Sequence, residues 1–225
     1  MRRPAIACFL VLCAGCRGTV NDYLLLARKG DQEEVRDAIQ QIGELLHAKE
    51  AEGYSLGEGD WQAVEYLKAA ALGHRDFVSR MAALSALAEL KDPRADDVFL
   101  QALADEQWGV RFDAAKALTR HQPQGASATL ATSLEKEVQP EVRLYIIKAL
   151  INIADREALR VLLDVFLDHG ERFQHNKLNA YDGIRRISGL DIPFEDTERW
   201  EAYQEREFPR PAPPTRPPAG DPEGP

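Results

Sequence analysis

The chain has 225 residues, and its 44% hydrophobic content is enough for a core in one or two domains. Its formal net charge is −9 and its isoelectric point lies near 5.1. Because an acidic surface repels phosphate backbones, composition excludes nucleic acid as the main partner. Both binding proteins and enzymes remain open.

The first sixteen residues, MRRPAIACFLVLCAGC, have the order of a secretory signal. Two arginines come first, residues 5–12 are apolar, and small residues precede Cys16. The apolar run is far shorter than the roughly 20 residues that a membrane-spanning helix needs. LCAGC resembles the bacterial lipobox, in which the signal is cut before a cysteine that becomes diacylated, although Leu12 stands one place early. We therefore predict a signal peptide at residues 1–15 and lipid attachment at Cys16.

An ordinary signal peptide and a buried apolar N-terminal helix are the alternatives, and the arginine pair raises the twin-arginine export route. Cleavage before Cys16 would remove Cys8 and Cys13, so no thiol would remain for disulfides or metal binding. It would also take the net charge from −9 to −11. By resemblance to known sorting rules, Arg17 after the cysteine favours the periplasmic side of the outer membrane over the inner membrane.

A sequence unit recurs along most of the chain. GVRFDAAKAL at residues 109–118 returns as EVRLYIIKAL at residues 141–150. Aligned copies are separated by 31, 32 and 34 residues, with these basic residues in register: Arg80, Arg111, Arg143 and Lys177. Apolar or small residues follow each base at spacings of 3, 4, 6 and 7, which predicts one buried helical face per copy.

Each copy also predicts a second helix. Apolar pairs follow the base by 19 and 23 places: Phe99 and Leu103, Leu130 and Leu134, Leu162 and Phe166. In the last copy the 23rd place is Trp200, within a polar segment typical of a terminal cap that also holds Tyr203.

Residues 33–46 and 60–74 predict one more helical pair upstream, and no useful strand-like alternation is present. The predicted fold class is therefore all-α, an α-solenoid of about five helical hairpins over residues 31–208. Residues 16–30 are predicted to be a tether. Residues 209–225 contain eight prolines and are predicted to be a disordered tail.

The segments VRFDAAKAL and VRLYIIKAL resemble the first helix of HEAT repeats, in the short bacterial form also found in phycobilin-lyase-like proteins. The resemblance covers about residues 60–200. In that family the base and an acid before it usually bond along the stack, and three of the four residues six places before the bases are acidic, His74 being the exception. The resemblance thus implies a structural ladder of Arg80, Asp105, Arg111, Glu137, Arg143, Glu171 and Lys177.

No catalytic constellation is visible in the sequence. The five histidines include no pair with the i, i+4 spacing of a helical zinc site. His169 and His175, near Glu171, are predicted to lie in a solvated loop. The chain also lacks a Gly-x-Ser-x-Gly elbow and a nucleophile with an adjacent base. We predict no metal and no cofactor.

Two functions remain open. The first is a lipid-anchored adaptor that catalyses nothing and binds an envelope protein along a concave surface, which second helices usually line. Its candidate contact residues are Asp97, Gln101, Thr132, Arg160 and Asp164. The second is an enzyme or enzyme subunit of the bilin-lyase kind, which would need a deep apolar cleft with convergent polar groups.

Overall fold

The computed structural model describes residues 18–90 and 92–209, which form eleven α-helices and no β-strand. The helices are α1 (Val20–Lys29), α2 (Gln32–Ala51), α3 (Glu58–Gly73), α4 (Phe77–Glu89), α5 (Asp96–Ala102), α6 (Trp108–His121), α7 (Ser127–Lys136), α8 (Pro140–Ile153), α9 (Arg156–Leu167), α10 (Lys177–Ser188) and α11 (Thr197–Glu207). The predicted signal peptide, Cys16 and all of the predicted tail except Pro209 lie outside the described residues.

The helices alternate between two stacked rows. We call α2, α4, α6, α8 and α10 the arginine row, because the recurring basic residue lies on these helices, and successive members pack against one another. The second row comprises α1, α3, α5, α7, α9 and α11. Within this second row, α5 and α7 pack less closely than any other neighbours. The predicted α-solenoid is confirmed.

The repeated spacing of the sequence places the predicted apolar columns in the core. The arginine-row positions that close each copy are buried: Leu87, Leu118, Leu150 and Ile184. The second-row pairs are buried as well: Phe99, Leu103, Leu130, Leu134, Leu162 and Phe166. Burying one such side chain stabilises the fold by about 1.5–3 kcal/mol. Each repeat therefore adds stability by packing against its neighbours.

The prediction of a tether over residues 16–30 is wrong for most of that segment, because Val20–Lys29 forms α1. Thr19 begins this helix: its backbone N–H donates to Asp22 Oδ2 at 2.8 Å, and Asp22 N–H donates back to Thr19 Oγ1 at 3.3 Å. Three side chains are buried, on the face that α1 turns to the stack: Val20, Leu24 and Ala27. Within the described residues, the solenoid therefore begins at Val20.

The helices also pair into hairpins differently from the prediction. The sequence paired each arginine-row helix with the helix after it, but α2, α4 and α6 each pack more closely with the helix before them. The connections within these pairs are short, with only Gly30 and Asp31 between α1 and α2. Without α1, α2 would lack its hairpin partner, which is why the segment before residue 31 belongs to the fold.

The last helix, α11, closes the stack against α9. Trp200 is fully buried, and its indole N–H donates to the carbonyl of Pro193 at 3.2 Å. Its ring centroid lies 6.2 Å from that of Phe166 and 6.0 Å from that of Tyr203. The two aromatic residues predicted for the terminal cap thus lie against each other at the end of the core.

Candidate functional site

Arg80 joins one repeat to the next through a buried, bidentate ion pair. Its Nε and Nη2 each lie 2.8 Å from a carboxylate oxygen of Asp105, 25 residues further along the chain. Nη1 donates to the carbonyl of His74, six residues before it, at 2.9 Å. The arginine therefore bonds forward to the acid of the next repeat and back to the turn of its own repeat.

Arg111 repeats this arrangement. Nε and Nη2 donate to the carboxylate of Glu137 at 2.7 and 3.0 Å, and Nη1 donates to the carbonyl of Asp105 at 2.8 Å. The Glu137 side chain is only 3% exposed, and its Oε1 also accepts the backbone N–H groups of Val138 and Gln139 at 2.9 Å. One carboxylate thus pairs with the preceding arginine and holds the turn that leads into the next arginine-row helix.

The predicted third rung of the ladder is wrong. Arg143 donates to backbone carbonyls instead, with Nε 3.0 Å from that of Glu137 and Nη1 bonded to that of Arg172. The side chain of Glu171 is exposed, and among the described contacts neither it nor Lys177 takes part in the ladder. The reason is local, because the connection from α9 to α10 is longer than the other turns and ends in a 3-10 turn at Gln174–Asn176. The backbone carbonyl of Arg172 therefore lies against Arg143, where Glu171 was predicted.

Sequence reasoning missed the first member of the ladder, Arg36 on α2. The signal was present, because EVR at residues 34–36 is identical to EVR at residues 141–143. The place of the acid is taken by His74, whose Nδ1 accepts the backbone N–H of Asp76 at 3.1 Å, as Asp105 Oδ1 accepts that of Gln107 at 2.8 Å. The Nε of Arg36 is buried without a hydrogen-bond partner among the described residues.

The electrostatics of the ladder are those of a satisfied structural pair. Burial alone would raise the pKa of Glu137, but the guanidinium of Arg111 and the N–H groups of Gln139 and Val138 outweigh it and lower that pKa. The bond to Glu137 raises the pKa of Arg111. Four of the five N–H donors of the Arg111 guanidinium bond within the protein. Arg111 therefore holds neighbouring repeats together and has one donor left for a substrate.

A groove of about 1020 Å³ opens beside this ladder, between α5 and α7. Leu100, Leu103 and Ala104 line it from the α5 side, and Ala128 and Thr129 line it from α7. The groove exists because α5 is only seven residues long and because α7 faces it with small side chains. Arg111 and Glu137 form part of its wall.

Two of the five predicted contact residues lie in this groove. Gln101 on α5 and Thr132 on α7 are both exposed and line opposite sides. Asp97 is exposed on α5, one helical turn before Gln101, and lies outside the groove lining. The structure therefore gathers the first three predicted residues on neighbouring helices.

The other two predicted contact residues are not free to bind. Arg160 pairs with Asp164 at 2.8 Å and with Glu157 at 2.5 Å, and Gln204 of α11 donates to Asp164 at 2.6 Å. The two bonds of Arg160 lie within α9, and the bond from Gln204 ties α9 to α11, the terminal cap. Reversing the charge of Asp164 would consequently disturb the cap as well as any surface that binds a partner.

The polar groups of the groove are mostly satisfied within the protein. The hydroxyls of Thr132 and Ser133 each donate to a backbone carbonyl of α7, four residues before, at 3.0 Å. Among the described residues that line the groove, three exposed polar side chains make no hydrogen bond or ion pair: Gln101, Thr129 and Lys136. The lining of the groove thus combines apolar side chains with exposed polar ones.

A second cavity of about 420 Å³ lies near the ends of α4 and α6. Nδ1 of His121 lies 2.8 Å from Oδ1 of Asp96, and both side chains are largely buried. Burial raises the pKa of Asp96, with the nearby His121 opposing the shift. The His121 ring also packs edge-on against Phe99, with centroids 4.8 Å apart. The pair is built into the joint between α5 and α6.

No group of three or more His, Cys, Asp or Glu side chains within residues 18–90 and 92–209 is placed to hold a metal ion. Over the same part of the chain, no helix is long and apolar enough to cross a membrane.

Comparison with solved structures gives a similar architecture in an engineered protein known from a crystal structure. The TM-score is 0.52, the identity is 17%, and the match covers 85% of this chain and 95% of that one. This likeness concerns the fold alone. None of the curated proteins matches the sequence. The family profile for HEAT repeats matches two overlapping stretches, residues 23–118 and 97–176, which together span more than half of the chain. The chain belongs to the HEAT-repeat family.

Proposed function

We propose that the protein is a lipid-anchored adaptor of the bacterial cell envelope that holds another envelope protein in the groove between α5 and α7 and catalyses no reaction itself. The groove carries this proposal. It is large enough for several side chains, its lining includes the apolar side chains of Leu100 and Leu103, and it interrupts an otherwise more closely packed row of helices.

The chemistry of the groove defines the partner segment. Leu100 and Leu103 would contact an apolar side chain, and Gln101 would hydrogen-bond to the backbone beside it. Lys136 at one end favours an acidic group, and Asp97 near the other favours a basic one. A segment of mixed charge around an apolar residue fits both ends. A lyase-like activity has less support, because the hydroxyls of Thr132 and Ser133 and the guanidinium of Arg111 already bond within the protein.

Support for the anchor comes from the sequence. The order of the first sixteen residues and the segment LCAGC favour acylation of Cys16, and Arg17 favours the periplasmic face of the outer membrane. The intact mass of the membrane-bound protein should then lack residues 1–15 and carry fatty acyl chains. Cys16→Ala should release the protein from the membrane fraction.

Site-specific photo-crosslinking in the native cells tests the groove. A photoreactive amino acid at Gln101 or Thr132 should give a crosslinked product of one defined mass, whereas the same group at Lys116, exposed on α6, should not. Equal products from all three positions, or none from the groove, would contradict the proposal. So would turnover of a small substrate by the purified protein.

A further inference from the structure

The outer face of α1 exposes apolar side chains that the stack leaves uncovered. Leu25 is 54% exposed and Leu26 is 36% exposed, although the opposite face of the same helix is buried. α1 is the first helix of the second row and packs only against α2 and α3 among the closely packed pairs. Its outer face therefore forms part of the N-terminal end of the described solenoid.

The position of Cys16 indicates what covers this face. Only residues 17–19 separate the cysteine from α1. Because an extended residue spans at most about 3.6 Å, the Cα atom of a lipidated Cys16 would lie within about 14 Å of the start of α1 at Val20. Such a short link leaves the first helix at the bilayer surface.

Two basic residues and one aromatic residue at this end suit a lipid surface, and they stand beside the exposed acids Asp22 and Asp31. Arg28 and Lys29 are exposed in the last turn of α1, where they could meet anionic headgroups. Tyr54 is 64% exposed on the loop before α3. The first turn of α3 lies beside α1, since a Cβ on Gly59 would lie 2.9 Å from Oδ1 of Asn21. Tyrosine is enriched at membrane interfaces because its ring is apolar and its hydroxyl is polar.

We propose that α1 lies on the bilayer, with Leu25 and Leu26 in contact with lipid and with Arg28 and Lys29 facing phosphate groups. This inference rests on the proposed anchor at Cys16. It sets the orientation of the stack, because the remaining helices then follow α1 away from the membrane. With helices about 8–10 Å apart, the groove lies roughly 20–25 Å from α1.

Fluorescence quenching by lipid tests the contact. With Cys8 and Cys13 removed and Cys16 acylated, Leu26→Cys provides one free thiol for a fluorescent label on the full processed protein. The protein is reconstituted in vesicles of phosphatidylethanolamine and phosphatidylglycerol that contain spin-labelled acyl chains. The label at residue 26 should lose at least half of its emission, and a label at Lys116→Cys should keep nearly all of it.

Two controls keep the outcomes distinct. Arg28→Glu combined with Lys29→Glu should reduce the quenching at residue 26. If a protein with a demonstrably acylated Cys16 shows no more quenching at residue 26 than at residue 116, the contact is refuted while the anchor stands. If the mass shows no acyl chains and the protein stays in solution, the anchor and the contact are both refuted.

Discussion

Arg111 uses four hydrogen bonds to join its own helix to the turn before it and to the carboxylate of Glu137 in the next repeat. Removal of either partner leaves the other with charge or donors that are buried and uncompensated, which usually costs more than the net gain from the pair. The recurrence of the arginine at Arg80 and Arg111 follows, because these two joints share the same connection.

A double-mutant cycle measures this connection. Arg111→Ala should destabilise the protein by about 3 kcal/mol, since it leaves Glu137 buried without its cation. Adding Glu137→Ala should then cost much less than Glu137→Ala costs alone. Urea denaturation of the four proteins gives the coupling free energy. A coupling near zero would show that the pair does not hold the joint.

The pH dependence of stability follows from the lowered pKa of Glu137. A carboxyl group whose pKa is lower in the folded state stabilises it fully above the ordinary value of about 4.5, and this stabilisation is lost as the pH falls through the lower folded value. The free-energy difference between the wild type and Glu137→Gln should therefore be largest above pH 4.5 and shrink below it. The raised pKa values of Asp96, Asp113 and Asp164 are common to both proteins and cancel. A difference that stays constant from pH 6 to pH 3 would contradict the assignment.

The ladder that the resemblance implied, placed by the spacing of six residues, is correct for the partners of two arginines and wrong for the others. Asp105 and Glu137 lie six residues before the next base, and both turns are short enough for the acid to reach back. Glu171 has the same spacing in the sequence, but the longer connection after α9 places the carbonyl of Arg172 there. Residue spacing therefore predicts a contact only where the backbone between the residues repeats as well.

At the scale of the helix, small residues decide how closely the arginine row packs. A Cβ added to Gly43 of α2 would lie 2.6 Å from the Cβ of Ala86 on α4, closer than real Cβ atoms approach. Gly43 thus permits the close contact between α2 and α4, although Gly43 and Ala86 are 43 residues apart in the sequence.

Gly43→Ala should destabilise the protein by about 1–3 kcal/mol, the usual cost of overpacking a close contact. Gly73→Ala is the matched control, because a Cβ there would meet nothing within 4 Å. It should be neutral or stabilise by up to about 1 kcal/mol, as alanine favours the helix. Thermal unfolding of both variants tests the contact, and equal melting temperatures would argue against it.

At the joint between α2 and α4, His74 stands in the place of the acid found at the next two joints, although Asp76 lies close enough to interact with the charge of Arg36. His74→Asp should supply the acid, because the aspartate could bond Arg36 and still accept the N–H of Asp76, as Asp105 does with Arg80 and Gln107. We expect a gain of about 1 kcal/mol in the free energy of unfolding. The gain should vanish when Arg36 is replaced by Gln, and a gain that persists would show that it has another source.

The order of helices could be predicted from the sequence, whereas their pairing could not. Periodic apolar positions give each helix and its buried face, as Leu118 and Leu130 show. They do not say whether a helix packs with the one before or the one after. α1 was missed because its exposed Leu25 and Leu26 adjoin the buried Leu24, so the apolar run hides the helical period.

At the scale of the whole molecule, the two rows differ in role. The arginine row carries the ion pairs that join successive repeats, and the second row contains the groove between α5 and α7. The groove could not be predicted from composition, because it arises where a short α5 meets small side chains on α7. Only Gln101 and Thr132 among the predicted contact residues line it, since the sequence does not reveal which second-row helices separate.

The central claim is that this groove binds the partner while the arginine ladder only supports it. The most direct measurement is capture of the crosslinked partner by a variant in which Thr132→Trp fills the groove from the exposed face of α7. Capture should fall by at least tenfold while the melting temperature and helix content stay at the wild-type values. Undiminished capture by a folded Thr132→Trp protein would contradict it.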